Sequence, residues 1–118
     1  MNQEITERTF EFAVRIVKLC QFLEEKPGVS RVLAQQLLRS GTSIGANVEE
    51  ARAGQSKADF IHKNAIALKE ARETHYWLRL LVATEIIPQH KLNTLLQEAD
   101  ELQRILGAIL VSSKTSKK

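Results

Sequence analysis

Apolar side chains recur along this chain with a helical rather than an alternating period, and they fall into four blocks. Between residues 5 and 24, Phe10, Phe12, Ala13, Ile16, Val17, Leu19, Cys20 and Leu23 cover about half of a helix circumference at ~100° per residue. That is wider than a two-helix seam requires, so the first helix should face several neighbours. Pro27-Gly28 breaks it, and Ser30 is the expected N-cap of a second helix over 31–53. There, Leu33, Leu37, Gly41, Ile44, Val48 and Ala51 share one face, with the small residues Ala34 and Gly45 beside it. Ser40, Ser43 and Asn47 form a polar border along that face, and Gly54 ends the helix.

Ser56 followed by Asp59 resembles a capping box and opens a third helix to about Thr84. Its expected core face is Phe60, Asn64, Ala67, Leu68, Ala71, His75, Leu78 and Val82. A second stripe, Ile66, Glu70, Glu73, Trp77 and Leu80, follows heptad spacing on another side of the same cylinder. A monomeric bundle does not need Trp77 and Leu80 there, so the stripe predicts a further packing surface and self-association. Ile86-Ile87-Pro88 closes the block, with Pro88 suited to the first position of a fourth helix. Leu92, Leu95, Leu96, Ala99, Leu102, Leu106, Ile109 and Leu110 form the core face of that helix. From Ser112 onward only Ser, Thr and Lys occur, which predicts a disordered tail over 112–118 behind a bundle domain over 1–111.

Four helices of similar length with short connections predict an all-α, antiparallel up-down-up-down four-helix bundle. No internal repeat unites them, which argues against a solenoid. Gly41 and Gly45 each cost a helix about 1 kcal/mol relative to Ala, so close packing must compensate for them.

Composition agrees with this picture, since the chain has 118 residues with 5 Gly and 2 Pro, a size and balance suited to one helical domain. The single cysteine, Cys20, excludes an intramolecular disulfide and reads as a small core hydrophobe, which fits a reducing cytoplasm. The polar, partly acidic start is unlike a secretory signal. No apolar run approaches the ~18 residues of a membrane span. The expectation is therefore a cytoplasmic protein without a membrane partner. The net charge of +3 is accounted for by Lys114, Lys117 and Lys118, leaving 14 basic against 14 acidic residues in the rest of the chain. Such a neutral body is weak evidence for a polyanionic partner.

Several blocks together carry a family resemblance. Ser-Gly-Thr-Ser-Ile-Gly-Ala-Asn-Val-Glu-Glu-Ala at 40–51, Ser-Lys-Ala-Asp-Phe-Ile-His-Lys at 56–63 and Leu-Lys-Glu-Ala-Arg-Glu-Thr-His-Tyr-Trp-Leu-Arg-Leu-Leu at 68–81 resemble the bacterial four-helix bundles that include the 23S ribosomal RNA intervening-sequence proteins. The resemblance implies an antiparallel bundle assembling into a ring, a pentamer, with an association to RNA biology and no catalytic residues. A related branch is the accessory variability protein of diversity-generating retroelements, which resembles these in fold, forms a basic pentameric barrel, and binds nucleic acid and a reverse transcriptase. That likeness adds RNA, DNA or a nucleic-acid-processing protein to the implied partners. The neutral body of this chain departs from that branch.

Three groups of residues compete as sites. Arg39, Ser40, Gly41, Ser43, Gly45, Asn47 and Glu50 match the family's signature in the second helix. They are readable as a binding surface or as a network that fixes how helices or subunits meet, and buried polar groups that need partners favour the second reading. Gly41-x-x-x-Gly45 lacks the Gly-Lys-Ser/Thr ending of a phosphate-binding loop. On the third helix, Lys69, Arg72, Tyr76 and Arg79 make a basic row with an aromatic that suits nucleic acid, or else a solvated face in which Lys69 pairs with Glu73. Asp59-x-x-His62 with Glu70 and Glu73 invites comparison with a metal-dependent bundle enzyme. Bundle di-metal sites use Glu-x-x-His on two helices, and this chain has none, so neither metal nor cofactor is expected. His75 and Asn64 read as hydrogen-bonded core residues. Cys20, Ser40 and Ser43 have no recognisable base and acid partners for nucleophilic catalysis. The reading is a non-enzymatic homo-oligomeric scaffold or adaptor associated with RNA biology, with nucleic-acid binding through the third helix as the alternative.

Overall fold

The computed structural model describes residues 4–54 and 56–115. Four helices account for nearly all of them: α1 Ile5–Leu23, α2 Val29–Ala53, α3 Lys57–Ala83 and α4 Gln89–Thr115, with no strand among the described residues. They pack into an elongated antiparallel bundle of 50 × 23 × 22 Å. Each helix lies along its neighbour in sequence, whereas the α1 and α4 backbones rarely approach one another. The antiparallel sense follows from the pairings. Gly45 sits by Thr9 and Gly41 by Ile16 across α1–α2, Arg39 meets Glu73 across α2–α3, and Arg8 and Arg15 meet Glu98 and Thr94 across α1–α4.

The core is aliphatic. Phe12, Ile16 and Leu23 from α1, Leu37 and Ile44 from α2, Leu78 and Leu81 from α3, and Leu92, Leu102 and Leu106 from α4 meet along the axis. Two sequence expectations for α1 are corrected here. Phe10 is 61% exposed and Val17 is 36% exposed, because the stripe on this helix is wider than the core it meets. The α3 face is shifted as well. Asn64, Ala67, Ala71 and Leu78 are buried as expected, but Glu70, Thr74 and Leu81 take the remaining buried positions, while Phe60, Leu68, His75 and Val82 are only half-buried. Helix α3 touches both α2 and α4, so its buried arc is centred between the two stripes read from sequence.

The helix ends show how the turns are built. The α2 cap is Gly28, at φ 95°, and Ser30 falls inside the first turn with no capping bond from its side chain, since the left-handed glycine already turns the chain. Arg31 reaches back to the Glu24 carbonyl at the end of α1, at 3.0 Å from Nη2. Ser56 Oγ accepts the Asp59 backbone N–H at 3.0 Å, which is the Ser half of the expected capping box. Pro88 stands just ahead of α4, its carbonyl accepting the Lys91 N–H at 3.0 Å, one place earlier than its expected helical position. Helix α4 continues through Ser112 and Lys114 to Thr115, whose hydroxyl donates back to the Val111 carbonyl at 3.0 Å. The expected tail is thus helical over 112–115. Its remaining positions, 116–118, lie outside the described residues.

Candidate interaction surface

The polar signature of α2 divides among three surroundings. Gly41 and Gly45 face α1, where a Cβ on Gly41 would stand 2.7 Å from Ile16 Cγ2 and one on Gly45 would stand 3.3 Å from the Thr9 backbone. They let two helix backbones approach. Ser43 and Asn47 bond within α2 itself, Asn47 Nδ2 donating to the Ser43 carbonyl at 2.9 Å and to its hydroxyl at 3.2 Å, so this pair does not bridge helices. A side chain four residues on can reach the preceding turn, and that local partner satisfies it. Arg39, Ser40 and Glu50 turn to α3.

At the α2–α3 seam these residues form a connected network. The Ser40 and Thr74 hydroxyls, both fully buried, are 2.9 Å apart, and Thr74 also donates to the Glu70 carbonyl at 2.8 Å. Arg39 donates from Nη1 to Glu70 Oε1 at 3.2 Å and from Nη2 to Glu73 Oε2, while Trp77 Nε1 donates to the same Glu73 oxygen at 3.1 Å. The Arg39 hydrogen bond, with help from Trp77, holds the Glu73 carboxyl below the usual carboxylate range. Reciprocally, Glu73 holds the Arg39 guanidinium more firmly protonated. Further along, Lys63 Nζ and Glu50 Oε1 are 2.8 Å apart at the surface. Every buried side-chain nitrogen and oxygen among the described residues has a partner.

This network also relocates the heptad stripe of α3. Glu70 is buried, Ile66, Glu73 and Leu80 are half-buried, and Trp77 packs on the margin of the core, its ring edge-on to Tyr76 with centroids 5.2 Å apart. At Glu70, Glu73 and Trp77 the stripe therefore borders α2. The outermost line of α3 is the basic row. Lys69, Arg72 and Arg79 are exposed, and Tyr76, 50% exposed, forms a shallow hollow with Arg79, Leu80 and Ala83.

A surface that sequence reading missed lies on the other side of the bundle. Phe10, Val14 and Val17 make an exposed stripe one to two turns long on α1. Phe10 borders a groove against α2 lined by Ala13, Thr42, Gly45, Ala46 and Glu49, and its outer rim carries Glu7 and Glu11. Phe22, Val29 and Val32 form a separate apolar group at the α1–α2 turn. The signal was the width of the α1 stripe, more than a two-helix seam requires.

Chemistry-bearing groups are otherwise dispersed. Cys20 is buried and donates to the Ala34 carbonyl at 3.3 Å, and burial pushes its thiol up to about 12, far from a reactive thiolate. Among the described residues, no three His, Cys, Asp or Glu side chains gather as metal ligands, and no helix is long and apolar enough to cross a membrane.

Residues 1–108 match the family described as 23S rRNA-intervening sequence protein. The chain belongs to that family. The bundle and the signature in α2 are therefore those of a 23S rRNA-intervening sequence protein. A solved relative is similar over 91% of this chain and 98% of its own, with 46% identity and a TM-score of 0.84. It is a crystal structure of a protein of unknown function from the S23 ribosomal protein family of Bacteroides thetaiotaomicron. No curated protein matches the chain. Neither the family description nor that relative's names a reaction.

Proposed function

We propose that this member of the intervening-sequence family is a non-enzymatic, homo-oligomeric scaffold or adaptor in RNA biology that assembles into a pentameric ring. The observation that carries the assembly reading is the set of large apolar side chains left on the outer helix faces, Phe10, Val14 and Val17 on α1 and Tyr76 on α3. A bundle whose core is already complete has no intramolecular use for them, and such stripes mark contacts with other molecules. Five copies is the number suggested by the resemblance to ring-forming bundles, and the family description supplies the link to ribosomal RNA. Light scattering on purified protein at micromolar concentration should report a mass near five chains. A monomer at that concentration would overturn the reading.

A second reading is favoured by the exposure of Lys69, Arg72, Tyr76 and Arg79 along one line of α3, where cations could meet phosphates and Tyr76 could stack on a base. It requires affinity for single-stranded RNA that falls steeply with salt and drops when Arg72 and Arg79 become Ala. A flat salt response rejects it.

A further inference from the structure

The two exposed surfaces are opposite in charge, and each fits the other as its occupant. The α1–α2 groove is shallow because Gly45 and its small neighbours Ala13 and Ala46 leave space beside Phe10. Its rim carries the carboxylates Glu7, Glu11 and Glu49, all exposed. On α3 the arrangement is inverted: Tyr76 and Leu80 stand beside Ala83, flanked by the cations Lys69, Arg72 and Arg79. Three carboxylates rim one apolar surface, and three cations flank the other.

We infer that the α3 face of one copy, led by Tyr76 and Leu80, docks onto the acidic-rimmed α1–α2 groove of the next. This inference rests on the self-association reading and names the faces that carry it. Apolar contact at the centre with opposite charges at the rim is the arrangement that gives both affinity and orientation. Because α1 and α3 are diagonal in the bundle, the groove and the α3 face point away from each other, so one pair of copies cannot make the contact twice and it is heterologous. An open row of copies then keeps one free groove at one end and one free α3 face at the other until a ring closes. The basic row is consumed between subunits and is not displayed to a polyanion.

Charge reversal tests the assignment. The variants Glu11→Arg/Glu49→Arg and Arg72→Glu/Arg79→Glu each place like charges across the contact, and each should lose assembly in light scattering while keeping wild-type helix content by circular dichroism. The four substitutions in one chain restore opposite charges with the signs exchanged and should restore assembly, a rescue that misfolding cannot mimic. A monomeric wild type would defeat the self-association reading and this inference with it. Wild-type assembly that persists in both double variants would overturn only the choice of faces. Assembly that persists in Arg72→Glu/Arg79→Glu while binding to a uridine oligonucleotide is lost would return the row to nucleic acid. A fourfold variant that stays monomeric although both double variants are folded would also reject the pairing.

Discussion

Gly41, Gly45 and Gly107 are all helical, yet a methyl group added at each would meet different surroundings. At Gly107 nothing stands within 4 Å, so Gly107→Ala should gain about 1 kcal/mol from backbone propensity alone. Gly41 gains the same propensity but drives a Cβ into Ile16, whose side chain is fully buried and stiff at its branched Cβ. Overpacking of about 1–3 kcal/mol cancels or exceeds the gain, and Gly41→Ala should lose up to roughly 2 kcal/mol. Urea unfolding at one fixed protein concentration, with equal slopes, checks the pair, since assembly makes stability concentration-dependent. Equal shifts in the same direction would contradict the packing account. The spacing of Gly41 and Gly45 was legible in the sequence as close packing, because only a close neighbour compensates two helix-weakening residues. That the neighbour is α1 was not legible, since Ile16 and Thr9 carry no local mark of their partner.

At the scale of elements, the α2–α3 seam joins a buried hydroxyl pair to a half-exposed charge cluster. Glu73 is the member that reports on pH. Its carboxyl is held low by Arg39 and Trp77, so the folded state binds its proton less readily than the unfolded chain does. That contribution is fully present above the unfolded carboxylate value of about 4.3 and is lost as pH falls from there through the lower folded value. The urea midpoint of the wild type should accordingly drop more between about pH 5 and pH 3 than that of Glu73→Gln, which keeps an acceptor for Trp77 but cannot titrate. Parallel profiles would remove Glu73 from the pH response. Sequence spacing placed Glu70, Glu73 and Trp77 on one line, but did not give that line its partner in α2. The reason is physical: a heptad line looks the same whether a neighbouring helix of the same chain or of another copy covers it. Arg39, about four turns before the end of α2, comes to that line only through the antiparallel register. Thr74 escaped notice for the same reason, since its partner Ser40 is distant in sequence.

Across the whole molecule, the three sequential seams are packed backbone to backbone, while the α1–α4 seam is spanned by long side chains. Arg8 is the principal span, donating to Glu98 from Nε at 3.0 Å and from Nη2 at 2.6 Å, and to Glu101 at 2.8 Å. Both carboxylates hold its guanidinium firmly protonated. The bundle class was legible from four helical periods and short turns, whereas this inequality among its seams was not, because helix periodicity records how wide a face is and not how closely it is met. The width of the α1 stripe is the case in point: part of it faces the core, and Phe10, Val14 and Val17 face outward.

The unequal seams also set an order in time. Helices that pack against their sequence neighbours make mainly short-range contacts, the topology of rapid folding, and only the α1–α4 seam must bring the two ends of the chain together. That long closure should come after the barrier, leaving Arg8 unengaged in the transition state while the Gly41–Ile16 approach is already formed. Removing about 1 kcal/mol by Arg8→Ala should then speed unfolding roughly fivefold with refolding unchanged, whereas Gly41→Ala should slow refolding. Stopped-flow chevrons resolve the two cases. The seam that holds least tightly would thus be the timer of the native state's lifetime, with a single arginine setting how long the bundle stays shut.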